Sequence, residues 1–274
     1  MLEIFQFEFM QNAVFAGLLA SITCGVIGTL VVVNRIVFIS GGIAHAAYGG
    51  IGIAFYFKLP YMVGTLGFSL LVSIIMAVVT LKDRHHSDTV IGVLWAMGMA
   101  FGILLLDLSP GYNVDLMSYL FGSILAVPRS DLWYMLGLSL VIIFLTAFFY
   151  NDFLAMSYDE EFARIRGVHV TPLYFLLLAM IAVSVVMVIR VVGLILVIAL
   201  LTIPPFIAEK YSNSIWKMMI FASILGSIFT ITGLLISYWF DITSGASIIM
   251  VAGTGFFLSL ISGKIMDAAR RREA

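Results

Sequence analysis

The sequence predicts an all-α integral membrane protein, a single polytopic helical bundle of about eight or nine transmembrane helices with no soluble domain attached. Three observations carry that prediction. Only 11% of the 274 residues are charged and 62% are hydrophobic, giving a mean hydropathy of +1.15. A soluble domain carries about 25% charged residues, so the polar side chains here are too few to coat a globule in water. Second, the chain divides into apolar runs near the roughly 20 residues that cross a bilayer core. Third, its basic residues are distributed on alternate connections.

The runs fall at about 12–33, 37–57, 62–81, 89–106, 131–150, 171–189, 191–208, 215–239 and 245–263. They cannot all be buried core helices of a soluble protein, because nothing remains to cover them. The second run holds "GGIAHAAYGGIG" and the last opens with "SGASIIMVAGTG". Small residues there let helix backbones approach closely in lipid. Between the fourth and fifth runs, Leu116–Val127 is too short to span. Its flanks, Asp107, Pro110, Asp115, Pro128 and Arg129, mark it as an interfacial or re-entrant helix. The seventh run carries Pro204-Pro205, which should end or kink it. The N-terminal "MLEIFQFEFMQN" is acidic and is read as no cleavable signal.

Orientation follows from the excess of Lys and Arg on cytoplasmic loops. With the N-terminus outside, one side receives Arg35, Lys82, Arg84, Arg164, Arg166, Lys210, Lys217, Lys264 and Arg270 to Arg272. The other receives only Lys58, Arg129 and Arg190, so 11 of the 14 basic residues share one face. That face is assigned to the cytoplasm, together with the C-terminus. The net charge of −1 gives no basic footprint for nucleic acid. The lone Cys24 provides neither a disulfide framework nor a cysteine metal site.

One polar segment interrupts the hydrocarbon. In "SYDEEFARIRGVHV", Asp159, Glu160, Glu161, Arg164 and Arg166 crowd together on the cytoplasmic side. The order predicts a short helix at about 157–168. Ser157 or Asp159 would cap it, acids fill its first turn, bases its last, and Gly167 stops it. Glu160 and Arg164 stand four apart, where opposite charges meet. Two readings remain open on physics alone: a solvated loop, or a rigid element that docks a soluble partner.

The same segment resembles the coupling helix of membrane permeases in ATP-binding-cassette importers, and most closely the ABC-3 family that imports zinc, manganese or iron(II). Four further stretches match that family in order: "FISGGIAHAAYGGIGIAF", "LMSYLFGSILAV", "VVGLILVIALLTIPPFIAE" and "SYWFDITSGASIIMVAGTGFFL". The resemblance covers nearly the whole chain. It implies a type II importer architecture like that of vitamin B12 permeases, with a second permease copy forming a homodimer. It also implies two copies of a separate ATPase subunit and an extracytoplasmic metal-binding protein. The coupling residues carried over are Asp159, Glu160, Glu161, Ala163, Arg164 and Gly167. No G-x-x-x-x-G-K-[ST] phosphate loop occurs, in keeping with ATP hydrolysis by a partner rather than by this chain.

His45 is the one histidine inside a predicted span, and neutral imidazole ligates zinc, iron and manganese. A lone intramembrane histidine also serves as a hydrogen-bonded packing residue, though polar groups are costly in lipid and lean towards function. The resembled family usually shows "GD-x-x-S/A-H-A" here, but this chain has Gly41 where the acid would stand. Losing that oxygen ligand favours an N-preferring ion such as zinc over manganese, with zinc the first expectation and manganese or iron the others. Asp241 is the candidate replacement acid at the outer mouth; its alternative role is an N-cap for the last helix. Asp107 and Asp115 share that side. Competing readings are an ion-gradient-driven secondary transporter, disfavoured by the lack of acids within the spans, and a permease for a metal chelate such as a siderophore or cobalamin. A membrane protease would need clustered catalytic residues that the spans do not contain.

Overall fold

The computed structural model describes residues 7–82, 87–109, 122 and 124–273, with side chains to residue 263. Among these residues eleven α-helices are defined: α1 (Glu8–Val33), α2 (Val37–Tyr56), α3 (Tyr61–Lys82), α4 (Ser87–Asp107), α5 (Arg129–Phe148), α6 (Tyr150–Tyr158), α7 (Glu160–Ile165), α8 (Val170–Val192), α9 (Leu194–Tyr211), α10 (Ile215–Phe240) and α11 (Ser244–Glu273). Among the described residues, nine helices are long and apolar enough to cross a membrane, and they coincide with the nine runs of the sequence. Most of Leu116–Val127 lies outside the described residues. Its end forms a 3₁₀ turn, Ile124–Ala126, whose Ile124 is buried against α1.

Helices in lipid gain little by hiding apolar surface from one another, so packing and polar links decide which ones meet. Two groups result. One is α2 with α3 and α4; the other is α1 with α9, α10 and α11. Helix α8, largely enclosed, packs on α2 and α3 from one side and on α1 and α5 from the other, joining them. Helices α4 and α5 turn most of their surface outward.

Pro204-Pro205 does not terminate its helix: α9 continues to Tyr211. The tolerance has a local cause. Pro205 lacks an N–H, so the carbonyl of Leu201 loses its helical donor. Gly28 of α1 lies against that carbonyl and against the Pro205 ring, where any side chain would collide with both. The neighbouring helix therefore fills the space at the interruption instead of leaving it open.

The two ends of the bundle differ. At the end bearing α7, Asn34 at the α1–α2 turn donates from Nδ2 to Ser157 Oγ of α6 at 2.9 Å. At the opposite end, Arg129 pairs with Glu8 at 2.8 Å, and Arg190 of α8 pairs with Asp131 of α5 at 3.0 Å. Asp131 is buried, and the Arg190 guanidinium also lies 5.7 Å from the centre of the Tyr61 ring. Two of the three basic residues on this end are thus matched by acids, which sharpens the charge difference between the ends beyond the residue count.

Candidate functional site: a coupling helix and an intramembrane histidine

The polar segment folds into the short helix that its residue order predicts. Asp159 is the N-cap: its backbone is extended, and Oδ1 accepts from the Phe162 N–H at 3.0 Å. Such a cap is worth about 1 kcal/mol to a helix. Ser157 does not cap α7; it sits within α6 and receives the Asn34 bond. Arg164 reaches Glu160 at 3.4 Å.

Gly167 takes φ +85°, its N–H bonds the Arg164 carbonyl, and the Val168 N–H bonds the Ala163 carbonyl. That pair of bonds is a Schellman close, which requires a residue at home in the left-handed region. Helix α7 is therefore fixed at both ends although it is only 6 residues long.

Burial separates the residues of this segment. Ala163 is fully buried, in the same cluster as Phe153, Met156 and Val170, so it anchors α7 to α6 and α8. Tyr158, Phe162 and Ile165 project outward, Ile165 with 84% of its surface exposed. The residue order already gives this helix an apolar side of Phe162, Ala163 and Ile165; the structure splits it, with Ala163 turned inward and the other two outward, and adds Tyr158, which sequence reasoning did not single out. The signal was present, since three large apolar side chains in a polar, non-spanning segment need an explanation.

His45 lies mid-helix in α2. Its Nδ1 is 2.9 Å from the Gly41 carbonyl oxygen. A carbonyl only accepts, so in the neutral ring Nδ1 carries the proton and Nε2 holds the lone pair. Metal-binding histidines are commonly oriented in this way. Trp95 of α4 stacks on the imidazole, with ring centroids 3.8 Å apart and planes at 26°. At Gly41 an added Cβ would meet nothing within 4 Å, although the residue is buried. The position of the missing acid is therefore empty space beside His45.

Asp241 is not brought to His45 within one chain. It follows α10, whose main neighbours are α1, α9 and α11, whereas α2 packs on α3, α4, α8 and α9. Nor is it the N-cap of the last helix. It is the C-cap of α10, in the left-handed conformation at φ 52° and ψ 47°, and α11 starts three residues later at Ser244. Aspartate tolerates that conformation better than most residues. Asp107 is exposed at the end of α4, while Asp115 lies outside the described residues, as do His85 and His86. Among the described residues no three His, Cys, Asp or Glu side chains converge on a metal-sized site.

Among the described residues, nine candidate spans with a short capped helix between two of them fit the class that the sequence resembles, the membrane permease subunit of an ATP-binding-cassette transporter. The chain belongs to the ABC 3 transport family, whose model matches residues 6–263. It is 52% identical over 260 residues to an uncharacterized membrane protein of Synechocystis sp., covering 95% of this chain and 92% of that one. It is 32% identical over 256 residues to the manganese transport system membrane protein MntC of Listeria monocytogenes, covering 93% and 91%. Its fold matches the solved structure of PsaBC from Streptococcus pneumoniae in complex with Fab at a TM-score of 0.85 and 30% identity, over 94% and 93% of the two chains.

Proposed function

We propose that this chain is the permease of an ATP-driven importer for a divalent transition-metal ion, working as a homodimer in the cytoplasmic membrane with its N-terminus outside and its C-terminus inside. Two copies of a separate ATPase receive α7, and an extracytoplasmic metal-binding protein delivers the ion. The observation that carries this reading is α7 itself: a helix capped at both ends and anchored by Ala163, with Phe162 and Ile165, and Tyr158 at the end of α6 just before it, left exposed. Asp159, Glu160, Glu161, Arg164 and Gly167 shape and charge that surface. A rigid element between two spans transmits a displacement that a loose loop would absorb.

His45 is the proposed metal ligand in the path, through Nε2. Asp241, exposed at the opposite end from α7, attracts a dication towards the mouth. Manganese is the first ion to test, because a relative's name carries it. Zinc is the second reading, and Gly41 supports it: without a carboxylate one turn from His45, the site is poorer in the oxygen ligands that manganese prefers.

The test is uptake of manganese and zinc into liposomes holding the permease with its ATPase. The reading expects ATP-dependent uptake that falls to background in His45→Ala. Ion-gradient-driven uptake by the permease alone would contradict it and favour a secondary transporter. ATP-driven uptake of a siderophore or cobalamin, with no free metal carried, would favour a chelate permease.

A further inference from the structure

Phe38, Gly41 and His45 stand at i, i+3 and i+7 on α2, so they share one face. Trp95 lies against both ends of that stripe. Its ring stacks on His45 at 3.8 Å and meets Phe38 at 6.1 Å with the planes tilted by 47°. The indole therefore bridges the two side chains across the gap at Gly41. Its height is set from either side: four residues earlier, Ile91 packs on Gly42, and three residues later, Gly98 lies against Ala46.

Phe38 also lines a cavity of about 490 Å³ at the α7 end, together with Asn34, Arg35, Asp88, Ser157 and Glu160. This cavity touches the coupling helix through Glu160 and the α1–α2 turn through Arg35. From His45 towards that cavity, the contacts run first through Trp95 and then through Phe38.

We propose that Trp95 is the positioning and sealing residue of the path: its indole fixes the His45 imidazole and closes it off from the cavity beside the coupling helix. Two consequences follow from the geometry. The stacked indole prevents the imidazole from turning, so Nε2 keeps one direction while Nδ1 holds the Gly41 carbonyl. Swinging the indole off His45 joins the gap at Gly41 to the cavity, which makes Trp95 the inner barrier that a movement of α4 against α2 would open. This assignment rests on the proposed transport path, but its test needs no metal.

The experiment is thiol accessibility in membrane vesicles of defined orientation, using the full chain. Cys24 is the sole cysteine and is buried, so Cys24→Ser gives a silent background for His45→Cys. A membrane-impermeant maleimide is applied from the α7 side. With Trp95 present labelling is slow; with Trp95→Ala it rises about tenfold, equivalent to lowering the barrier to thiol access by about 1.4 kcal/mol. Trp95→Phe keeps most of the protection. Trp95→Leu retains apolar bulk and gives an intermediate rate, a check that does not depend on the alanine variant folding well. Phe38→Ala gives a smaller rise. Equal labelling with tryptophan, leucine and alanine at this position would overturn the assignment. Should the chain prove to carry no metal, the tenfold difference would still be expected, so failure of the cargo reading and failure of the barrier are told apart.

Discussion

Two helix seams in this protein share close packing and differ in what is added to it. Between α2 and α4 the backbones themselves touch: a side chain at Gly102 would strike the Tyr48 carbonyl, one at Gly98 the Ala46 backbone, and one at Gly52 the Gly102 carbonyl. Between α1 and α10, hydroxyl groups add hydrogen bonds to the packing. Ser21 meets Thr230 at 3.1 Å, and Ser223 donates to the Ile22 carbonyl at 3.4 Å. The first seam carries His45 and Trp95; the second is as tight at Gly25, where a side chain would strike the Ser223 backbone, and adds directional bonds whose individual loss is small.

The sharpest way to break the comparison is Gly102→Ala. The atoms it would strike belong to backbone and cannot rotate away, so a loss of about 3 kcal/mol is expected, the upper part of the overpacking range. The readout is the thermal midpoint in detergent. Next is Arg190→Met, which leaves the buried Asp131 carboxylate without its partner. Arg190 keeps 37% of its side chain exposed, so the cost is set at about 2 kcal/mol, below that of a fully enclosed pair. Adding Asp131→Asn to the same chain should recover part of it.

The hydroxyl seam should respond less. Thr230→Val removes the Ser21 link while keeping shape, for an expected loss of about 0.6 kcal/mol. Smallest of all is Gly41→Ala. The added methyl meets nothing within 4 Å, so no destabilisation is expected, and the helix gains up to about 0.8 kcal/mol from losing a glycine. Gly41→Asp uses the same space for a second purpose: it should raise manganese uptake relative to zinc in the assembled complex, read by competition between the two ions.

Much of this architecture was legible from composition and spacing. Among the described residues the nine runs coincide with nine helices long and apolar enough to span, because lipid demands about 20 apolar residues whatever the tertiary contacts. Asp159 and Gly167 were readable because caps are local chemistry. Ser157 was the alternative cap, but its hydroxyl is occupied by Asn34, 123 residues away in sequence. Pro204-Pro205 was expected to end or kink its span; Gly28 on another helix fills the gap that the prolines create. The Asp131–Arg190 pair and the Trp95–His45 stack were equally out of reach, since each joins two helices that no sequence period relates. Asp241 shows the reverse error. Its place at a helix end was right, but its conformation makes it the close of α10 rather than the start of α11.

The central claim is that α7 passes the work of a separate ATPase into the bundle, and Ile165→Asp tests it most directly. Ile165 is 84% exposed, so the substitution should leave the thermal midpoint unchanged. The account predicts loss of ATPase co-purification and a fall in ATP-driven metal uptake of at least about tenfold, as expected when a buried apolar anchor of an interface is replaced by a charge. Full uptake with the ATPase still bound would contradict it.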